Sequence, residues 1–324
     1  MIYVTLNDEN KITYNTFDEI VDYDRIMTLD CSQNELTELP ESINNLINLI
    51  EFDCSRNELT ELPELIGNLT NLKALSCTHN QLTLLPESIG NLTNLKDLDC
   101  RNNQLTELPE SIGYLINLKV LRCSFNQLTS LPESIGNLIN LKILNCYSNK
   151  LTILPDSMSN LINLKELYCD YNKLTLLPSI GNLINLNLLS CINNKLTSLP
   201  DLIGNLINLK EIDCSDNQIT FLPDTIGNLI NLKELDCVEN QLTELPPSIG
   251  NLISLKYLNC SNNQIIELPE TIINLKNINR FKRDKLTLTP QQERYFKWID
   301  SNKSYLFDEH IDMMPLIKCA YFGV

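Results

Sequence analysis

The chain has 324 residues, of which 43% are hydrophobic, and a formal net charge of −16. This acidic balance argues against nucleic acid and anionic membrane as partners. No stretch approaches the roughly 18 apolar residues of a membrane span, so the sequence also predicts no membrane-spanning helix.

The first 25 residues predict a cap for the array that follows. Apolar and polar residues alternate on both sides of a polar stretch, Asn7–Asn10, which predicts a β-hairpin. Phe17, Ile20 and Val21 then recur with helix-like spacing. We interpret residues 1–25 as an N-terminal cap, with a separate docking motif as the alternative.

Residues 26–277 form eleven repeats of 22 or 23 residues. The pattern L-x-x-L-x-C-x-x-N-x-L recurs in phase, as in Leu95–Leu105. A cysteine fills the sixth position of every copy; this cysteine column consists of Cys31, Cys54, Cys77, Cys100, Cys123, Cys146, Cys169, Cys191, Cys214, Cys237 and Cys260. Every step is 23 residues except the 22 between Cys169 and Cys191. Identity at a fixed spacing predicts a solenoid.

Each repeat predicts one short β-strand and a return path. Apolar positions four and six alternate with polar neighbours, which is the period of a half-buried strand. Strands joined by long returns stack in parallel, about 4.8 Å apart. The asparagine at position nine should bond the backbone of its own loop and of the next repeat.

Two details of the return path carry further expectations. Glycines such as Gly67, Gly90 and Gly113 are interpreted as tight-turn residues. The residue missing from the seventh repeat falls at Leu177–Ile180, where other repeats read Leu-Pro-Glu-Ser-Ile. It should shorten the return path and leave the strand intact.

These motifs resemble the leucine-rich repeat, with Cys in place of the third Leu. The second half, L-P-x-S-I-G-N-L, is similar to the intracellular Ras-suppressor-like and plant Ras-group-related repeats and to arrays in giant-virus proteins. The resemblance covers residues 26 to 290 and implies an α/β solenoid: a leucine-rich repeat horseshoe with a parallel concave β-sheet and an irregular or 3-10 convex side. It is specific for the fold and says little about function.

The cysteine column is interpreted as core. A free thiol behaves as a small buried hydrophobe, whereas disulfides between neighbouring strands would need Cβ atoms closer than about 4.5 Å. Metal binding is not expected either, because the cysteines are 23 residues apart with no histidine beside them. So many reduced thiols predict a reducing, cytoplasmic location. Met1 is followed neither by a basic segment nor by a long apolar run, so we expect no secretory signal.

Residues 278–324 predict a degenerate twelfth repeat and a helical cap. Arg283 replaces the cysteine, and Pro290 is well placed as the first residue of a helix. One face of that helix should carry Tyr295, Trp298 and Ile299. The apolar residues beyond it either pack there or form a tail open to partners: Phe307, Met313, Met314 and Phe322.

The concave face is the predicted binding surface, because positions three, five, seven and eight of each repeat point outward and vary. Thirteen of these 44 residues are acidic and three are basic. The acids cluster at the two ends of the array: Asp30, Glu51, Asp53, Asp97 and Asp99, then Glu211, Asp213, Asp216, Glu234, Asp236 and Glu239.

Repeats five to eight differ from these ends. Eight of their sixteen outward residues are apolar or aromatic: Val120, Phe125, Ile143, Tyr147, Tyr168, Tyr171, Leu188 and Ile192. Such a band is typical of interface anchors, although exposed strands also favour these residue types. We predict that the eight residues bind a protein partner with a hydrophobic middle and basic ends.

The sequence predicts a binding module and no enzyme. Its two histidines, His79 and His310, are far apart, and no catalytic, cofactor-binding or metal-binding motif is found. The first hypothesis is a monomeric protein-interaction module; the Ras-suppressor resemblance implies a small-GTPase regulator or signalling scaffold as the alternative. A structural or packaged component is the third.

A column of lysines before the strands is interpreted as a solvated edge, with a second binding strip as the alternative: Lys73, Lys96, Lys119, Lys142, Lys165, Lys210, Lys233 and Lys256.

Overall fold

The computed structural model describes residues 1–302 and places fourteen strands in one open sheet. From the third strand onward, neighbours pair in parallel and in sequence order. The strands are β1 (Ile2–Leu6), β2 (Lys11–Tyr14), β3 (Ile26–Asp30), β4 (Glu51–Asp53), β5 (Ala74–Ser76), β6 (Asp97–Asp99), β7 (Val120–Arg122), β8 (Ile143–Asn145), β9 (Glu166–Tyr168), β10 (Leu188–Ser190), β11 (Glu211–Asp213), β12 (Glu234–Asp236), β13 (Tyr257–Asn259) and β14 (Arg280–Lys282). The predicted parallel solenoid is confirmed.

The predicted N-terminal hairpin is also present. Strand β1 pairs antiparallel with β2 on one side and with β3 on the other, so the hairpin covers the first edge of the parallel array. The helix-like interpretation of the next residues is wrong, because only two 3-10 turns follow, Phe17–Glu19 and Tyr23–Arg25. Ile20 is buried, whereas Val21 is exposed.

The cysteine column lies in the core as predicted. All eleven side chains are free thiols and buried. From Cys54 to Cys260, each Sγ faces the backbone carbonyl of the next strand, at distances from 3.1 Å (Cys237 to Asn259) to 3.7 Å (Cys260 to Lys282). The thiol therefore fills the volume of a small apolar side chain and also donates a weak hydrogen bond between repeats.

The asparagine column joins each repeat to the one before it. The Asn126 amide donates to the carbonyls of Cys100 and Cys123 at 3.0 and 3.1 Å, and its Oδ1 accepts the Leu105 N–H at 2.9 Å. The predicted bond within its own loop is confirmed, but the second partner is the preceding repeat and not the next one. The reason is that the amide lies between two successive strand ends, both of which offer carbonyls.

The return path is built from 3-10 helices, as the convex side was predicted to be. They span Glu41–Asn45, Glu64–Asn68, Glu87–Asn91, Glu110–Tyr114, Glu133–Asn137, Asp156–Asn160, Asp201–Asn205, Asp224–Asn228, Pro247–Asn251 and Glu270–Asn274. The turn interpretation of their glycines is wrong. A Cβ on Gly90 would lie 2.7 Å from both the Cβ and the carbonyl oxygen of Ser111 in the next repeat. Glycine is needed there because the stacked helices approach so closely.

The short seventh repeat behaves as predicted. Strands β9 and β10 pair in register, with Leu189 opposite Leu167, and each continues the parallel sheet. The return path between them, residues 174–186, has no 3-10 helix assigned in this described segment. The deletion therefore removes a turn of the convex side and leaves the concave sheet continuous.

The described chain ends in helix α1 (Pro290–Asn302), which starts at the predicted proline. Its N-terminus is closed by Thr289, whose Oγ1 accepts the Gln292 N–H at 3.3 Å. Phe296 stacks on Phe281 of β14 with ring centroids 5.1 Å apart, whereas Trp298 is half exposed. The inward face is thus centred on Phe296 and not on Trp298. The predicted packing residues Phe307, Met313, Met314 and Phe322 lie outside the described residues.

Candidate partner-binding surface

The concave face presents the predicted residues to different extents. Tyr171 is 47% exposed, whereas Tyr168 is only 6% exposed. The remaining six are partly buried: Val120, Phe125, Ile143, Tyr147, Leu188 and Ile192. The predicted band is therefore a surface of half-covered apolar side chains with one protruding tyrosine.

Three aromatic side chains in three successive repeats touch each other. The rings of Phe125 and Tyr147 lie 5.0 Å apart at 62°, and those of Tyr147 and Tyr171 lie 5.1 Å apart at 61°. We call Phe125, Tyr147 and Tyr171 the aromatic row. Edge-to-face contacts of this kind stabilise aromatic pairs by about 0.5–1.5 kcal/mol beyond the area that they bury. The row is therefore ordered before any partner arrives.

Two members of the aromatic row have an unusual backbone. Position eight of all eleven repeats is left-handed, and φ is 54° at Phe125 and 51° at Tyr171. Asparagine and aspartate tolerate this conformation, but a bulky aromatic residue there is an outlier that costs on the order of 1 kcal/mol or more. Asparagine at the same position in other repeats, such as Asn102 and Asn193, is a sequence signal for this conformation. Arg56, His79 and Glu239 have it too, so the left-handed backbone belongs to the repeat and is not confined to the aromatic row.

Tyr168 does not join the aromatic row. Its hydroxyl donates to Glu166 Oε2 at 3.1 Å, and burial followed by the charge of Glu166 raises the pKa of the phenol. The residues at position five are buried in most repeats, for example Asn145 and Asp213, because a concave sheet crowds the side chains of its central row. The prediction that Tyr168 is exposed, like Tyr147 and Tyr171, is therefore wrong. Its side chain is buried and borders the surface that the other two form.

Carboxylates interrupt the apolar band. At position three, Val120 pairs with Ile143, but Glu166 stands between Ile143 and Leu188 in the strand register. Asp170 is fully buried and accepts hydrogen bonds from the Ser190 hydroxyl and, at 2.8 Å, from the N–H of Ile192. The centre of the face thus combines aromatic rings with negative charge.

Two of the acids before the aromatic row, Asp97 and Asp99, are matched by arginines. Arg101 and Asp99 are joined at 2.7 Å, and both side chains are largely buried. Arg122 reaches across one repeat to Asp97 at 2.8 Å. These two ion pairs neutralise the concave face in repeats four and five, so its uncompensated negative charge lies elsewhere.

The acids after the aromatic row are crowded. Burial, with the charges of Glu234 and Glu166, raises the pKa of Glu211 to about 7, and burial with Asp236 raises that of Asp213 to about 7. Within residues 1–302 no salt bridge reaches Glu211, Asp213 or Glu234. A cation brought by a partner would relieve this repulsion.

Two searches of the described residues bear on other functions. No group of three or more histidine, cysteine, aspartate or glutamate side chains in that part of the chain is arranged to hold a metal ion. Among the same residues, no helix reaches the length and hydropathy that crossing a bilayer requires.

Comparison with known proteins identifies the family. Models described as leucine-rich repeats match residues 71–92, 86–173, 207–250 and 254–275. A leucine-rich repeat protein of Leptospira interrogans is 38% identical over 82% of this chain and 74% of its own, with a TM-score of 0.68. The chain therefore belongs to the leucine-rich repeat family, whose members generally mediate protein–protein interaction. No curated protein matches it.

Two further solved structures are similar to the chain. The functional domain of InlJ from Listeria monocytogenes, which includes a cysteine ladder, is 29% identical over 82% of this chain, with a TM-score of 0.71. The plant peptide hormone receptor RGFR1 in complex with RGF2 is 32% identical over 83% of this chain, with a TM-score of 0.66. The chain spans only 55% and 50% of those two proteins.

Proposed function

We propose that this protein is a non-enzymatic interaction module that binds a protein segment on its concave face, centred on repeats five to eight. The observation that supports this best is the aromatic row, in which three rings of three successive repeats make edge-to-face contacts on the concave face. Rigid aromatic side chains are common hot spots of interfaces.

The charges favour a partner of a particular composition. Aromatic or aliphatic side chains would pack on Phe125, Tyr147 and Tyr171, and a lysine or arginine on the C-terminal side would reach Glu211 and Asp213. A cation there would favour ionisation of both carboxylates, so binding should release protons near neutral pH. The similarity to a plant peptide hormone receptor in complex with RGF2 supports a peptide as the partner.

Selection of peptides tests this proposal without knowledge of the natural partner. A random peptide library displayed on phage is selected on the immobilised full chain. We expect enriched peptides to have an apolar or aromatic centre with lysine or arginine on one side of it. The affinity of a synthetic enriched peptide should rise with pH through about 7, where the two carboxylates ionise.

A triple variant removes the aromatic row without harming the fold. Phe125→Asn, Tyr147→Ser and Tyr171→Asn introduce residues that other repeats have at these positions. The matched control is Tyr114→Asn, which removes an exposed tyrosine from a convex 3-10 helix where other repeats have asparagine. The triple variant should lose at least tenfold in peptide affinity, about 1.4 kcal/mol, and the control should bind normally. Equal binding by both variants would refute the concave site.

The more specific functions expected from the sequence remain predictions. A small-GTPase regulator or scaffold rests on the Ras-suppressor resemblance, and a structural component rests on the resemblance to giant-virus arrays. Eleven buried free thiols support a reducing, cytoplasmic location. Binding of a purified small GTPase that differs between its GDP and GTP-analogue forms would favour the regulator over the general module.

A further inference from the structure

An apolar stripe runs along the side of the solenoid on which the strands begin. Because the strands are parallel, their N-terminal ends lie on one side of the sheet, which we call the leading side. Seven successive repeats place an isoleucine there, each 49–57% exposed: Ile116, Ile139, Ile162, Ile184, Ile207, Ile230 and Ile253.

Hydrogen bonds hold the stripe in register. The side-chain amide of Asn140 donates to the carbonyl of Ile116 at 2.8 Å, and that of Asn163 donates to Ile139 at 2.9 Å. The backbone of one isoleucine is thus tied to the residue that follows the next isoleucine. Side chains on neighbouring turns are therefore close enough to form one continuous apolar strip. Soluble monomers rarely expose contiguous apolar patches above about 300–600 Å².

The lysine column borders this stripe. Its eight members precede strands β5 to β9 and β11 to β13, and all are exposed. The salt bridges of the described residues do not include any of them. The leading side therefore carries a column of exposed lysines, although the whole chain has a net charge of −16.

The opposite side is acidic and also apolar. We call it the trailing side; it follows the C-terminal ends of the strands. Nine return-path helices have an acid in their first turn: Glu41, Glu64, Glu87, Glu110, Glu133, Asp156, Asp201, Asp224 and Glu270. Glu61, Glu64, Leu84, Glu87 and Glu107 line one shallow groove there.

Exposed apolar residues also occur on the trailing side, but they do not form a continuous strip. Four repeats have one at the position of Leu84, each 48–55% exposed: Leu84, Ile153, Leu176 and Phe221. Glu107, Ser130 and Ser198 occupy this position in the repeats between them. Each side of the solenoid thus presents apolar residues beside a column of charge, and the two columns have opposite signs.

We propose that copies of this chain stack side by side, with the leading side of one copy on the trailing side of the next. A second copy is the partner whose charges recur at the same spacing, so one lysine–carboxylate contact can repeat along the array. Contact between two different sides is heterologous, so each copy keeps a free side that can bind a further copy, and association continues beyond the dimer. Stacking of copies would replace the monomer expected from the sequence. It does not depend on binding at the concave face.

Salt should affect the stacking in two opposite ways. The net charge of −16 makes copies repel at long range, and this repulsion is largely screened at about 0.15 M salt, where the Debye length is about 8 Å. Lysine–carboxylate contacts in the interface act over a few Å and weaken only at higher salt. We therefore expect the association constant to pass through a maximum at intermediate ionic strength.

Sedimentation of the purified full chain over a wide range of concentration tests the proposal. The average mass should increase with concentration. The first variant, Ile139→Thr with Ile162→Thr and Ile184→Thr, introduces the residue that two other repeats have at this position, Thr70 and Thr93. It should lower the association constant at least tenfold without changing the circular dichroism spectrum or the melting temperature.

A pair of charge reversals tests which sides meet. One variant carries Lys119→Glu, Lys142→Glu and Lys165→Glu on the leading side. The other carries Glu110→Lys, Glu133→Lys and Asp156→Lys on the trailing side. Each alone should stay monomeric, because both of its sides then have the same sign. An equimolar mixture should regain association, because the two reversed sides complement the two native ones.

Three results would overturn the proposal. Wild type could remain monomeric at all concentrations, or associate as strongly after the isoleucine changes. The mixture of the two reversed variants could fail to associate while the wild type does. Binding of the leading side to vesicles of anionic lipid, lost in the Lys→Glu variant, together with a monomeric wild type, would assign the stripe to a membrane surface instead.

Discussion

At the scale of single residues, stacking identical turns changes side-chain chemistry. Asp213 lies on the strand next to the one that carries Asp236, in direct register, and is mostly buried. Its carboxylate accepts the Ser215 N–H at 3.0 Å and hydroxyl at 2.6 Å, which lowers its pKa, but burial and Asp236 outweigh these bonds. The sequence shows an acidic residue at this position. It could not show that burial and the neighbouring Asp236 raise the pKa of its carboxyl group.

The first prediction concerns the pH dependence of stability. The pKa of Asp213 is about 7 in the folded chain and about 3.9 when unfolded, so the folded state binds more protons between these values. The free energy of unfolding therefore falls as pH rises from about 4 to 7 and levels off above. Asp213→Asn should raise it by about 1–3 kcal/mol at pH 8 and leave it nearly unchanged at pH 4.

Urea unfolding at both pH values measures this effect. Asparagine at position five is compatible with the fold, because Asn145 and Asn259 occupy it in other repeats. The control, Asp224→Asn, removes an exposed charge of the same sign from a convex helix. An equal gain from the two variants at pH 8 would attribute the effect to net charge and not to crowding at Asp213.

The second prediction concerns the reactivity of the cysteine column. Burial raises the pKa of every thiol in it, for Cys146 to about 12 with a further contribution from Asp170. Because the thiolate is the reactive form, these residues should be inert in the native state. A coloured thiol reagent should modify at most one or two groups per chain before unfolding and all twelve cysteines after it. Rapid native labelling of several groups would contradict a closed core.

At the scale of elements, periodicity predicted the strands. The backbone conformation after each strand and the role of the glycines depend on packing between repeats. Alternation within L-x-x-L-x-C identifies a strand because side chains on a strand alternate between two faces. The same alternation cannot show that Phe125 has φ of 54°, because Phe125 lies beyond the strand, where the chain turns into the return path. Nor could it distinguish a turn glycine from a contact glycine. Gly136 is of the second kind, because it packs against Ser157 of the following repeat.

The third prediction tests this contact. Alanine at Gly136 would place a Cβ 2.5 Å from the carbonyl oxygen and 2.6 Å from the Cβ of Ser157. Relieving the overlap should cost roughly 1–3 kcal/mol in the free energy of unfolding. The control is Ser159, the matching residue in the next repeat, because the return path that follows it has no 3-10 helix to pack against it. Ser159→Ala should change the free energy of unfolding by no more than about 0.5 kcal/mol. Denaturant midpoints of the two variants compare these effects, and equal midpoints would contradict a close contact between Gly136 and Ser157.

At the scale of the whole molecule, the sequence predicted the array and only part of its surfaces. Repeats define which positions face outward, so Tyr147 and Tyr171 could be assigned to the outward face, where their rings contact each other. Burial of Tyr168 depends on the curvature of the sheet, and the pairing of Arg122 with Asp97 depends on the stagger between repeats. Neither quantity is present in a single repeat. The opposite charge of the two sides emerges only when the repeats are stacked.

The two ends of the array determine how it unfolds, because each repeat of a solenoid contacts only its neighbours. At the C-terminal end, helix α1 packs Phe296 against Phe281 of β14, and Arg283 lies over the Phe296 ring at 4.1 Å. The Gln292 amide donates to the carbonyl of Leu268 at 3.0 Å. We interpret α1 as the element that stops the last strands from opening.

The fourth prediction is that Phe296→Ala unfolds the array from this end. Deleting a buried Phe side chain costs about 3–5 kcal/mol, and in a one-dimensional array the loss is felt most by the nearest repeats. Amide hydrogen exchange should therefore accelerate strongly in β14 and β13, less in β12, and little in β4 and β5. Trp298→Ala, on the half-exposed face of the same helix, is the control and should leave the profile unchanged. A uniform acceleration from β4 to β14 would mean that the solenoid unfolds as one cooperative unit, and α1 would then contribute to global stability instead of guarding one end.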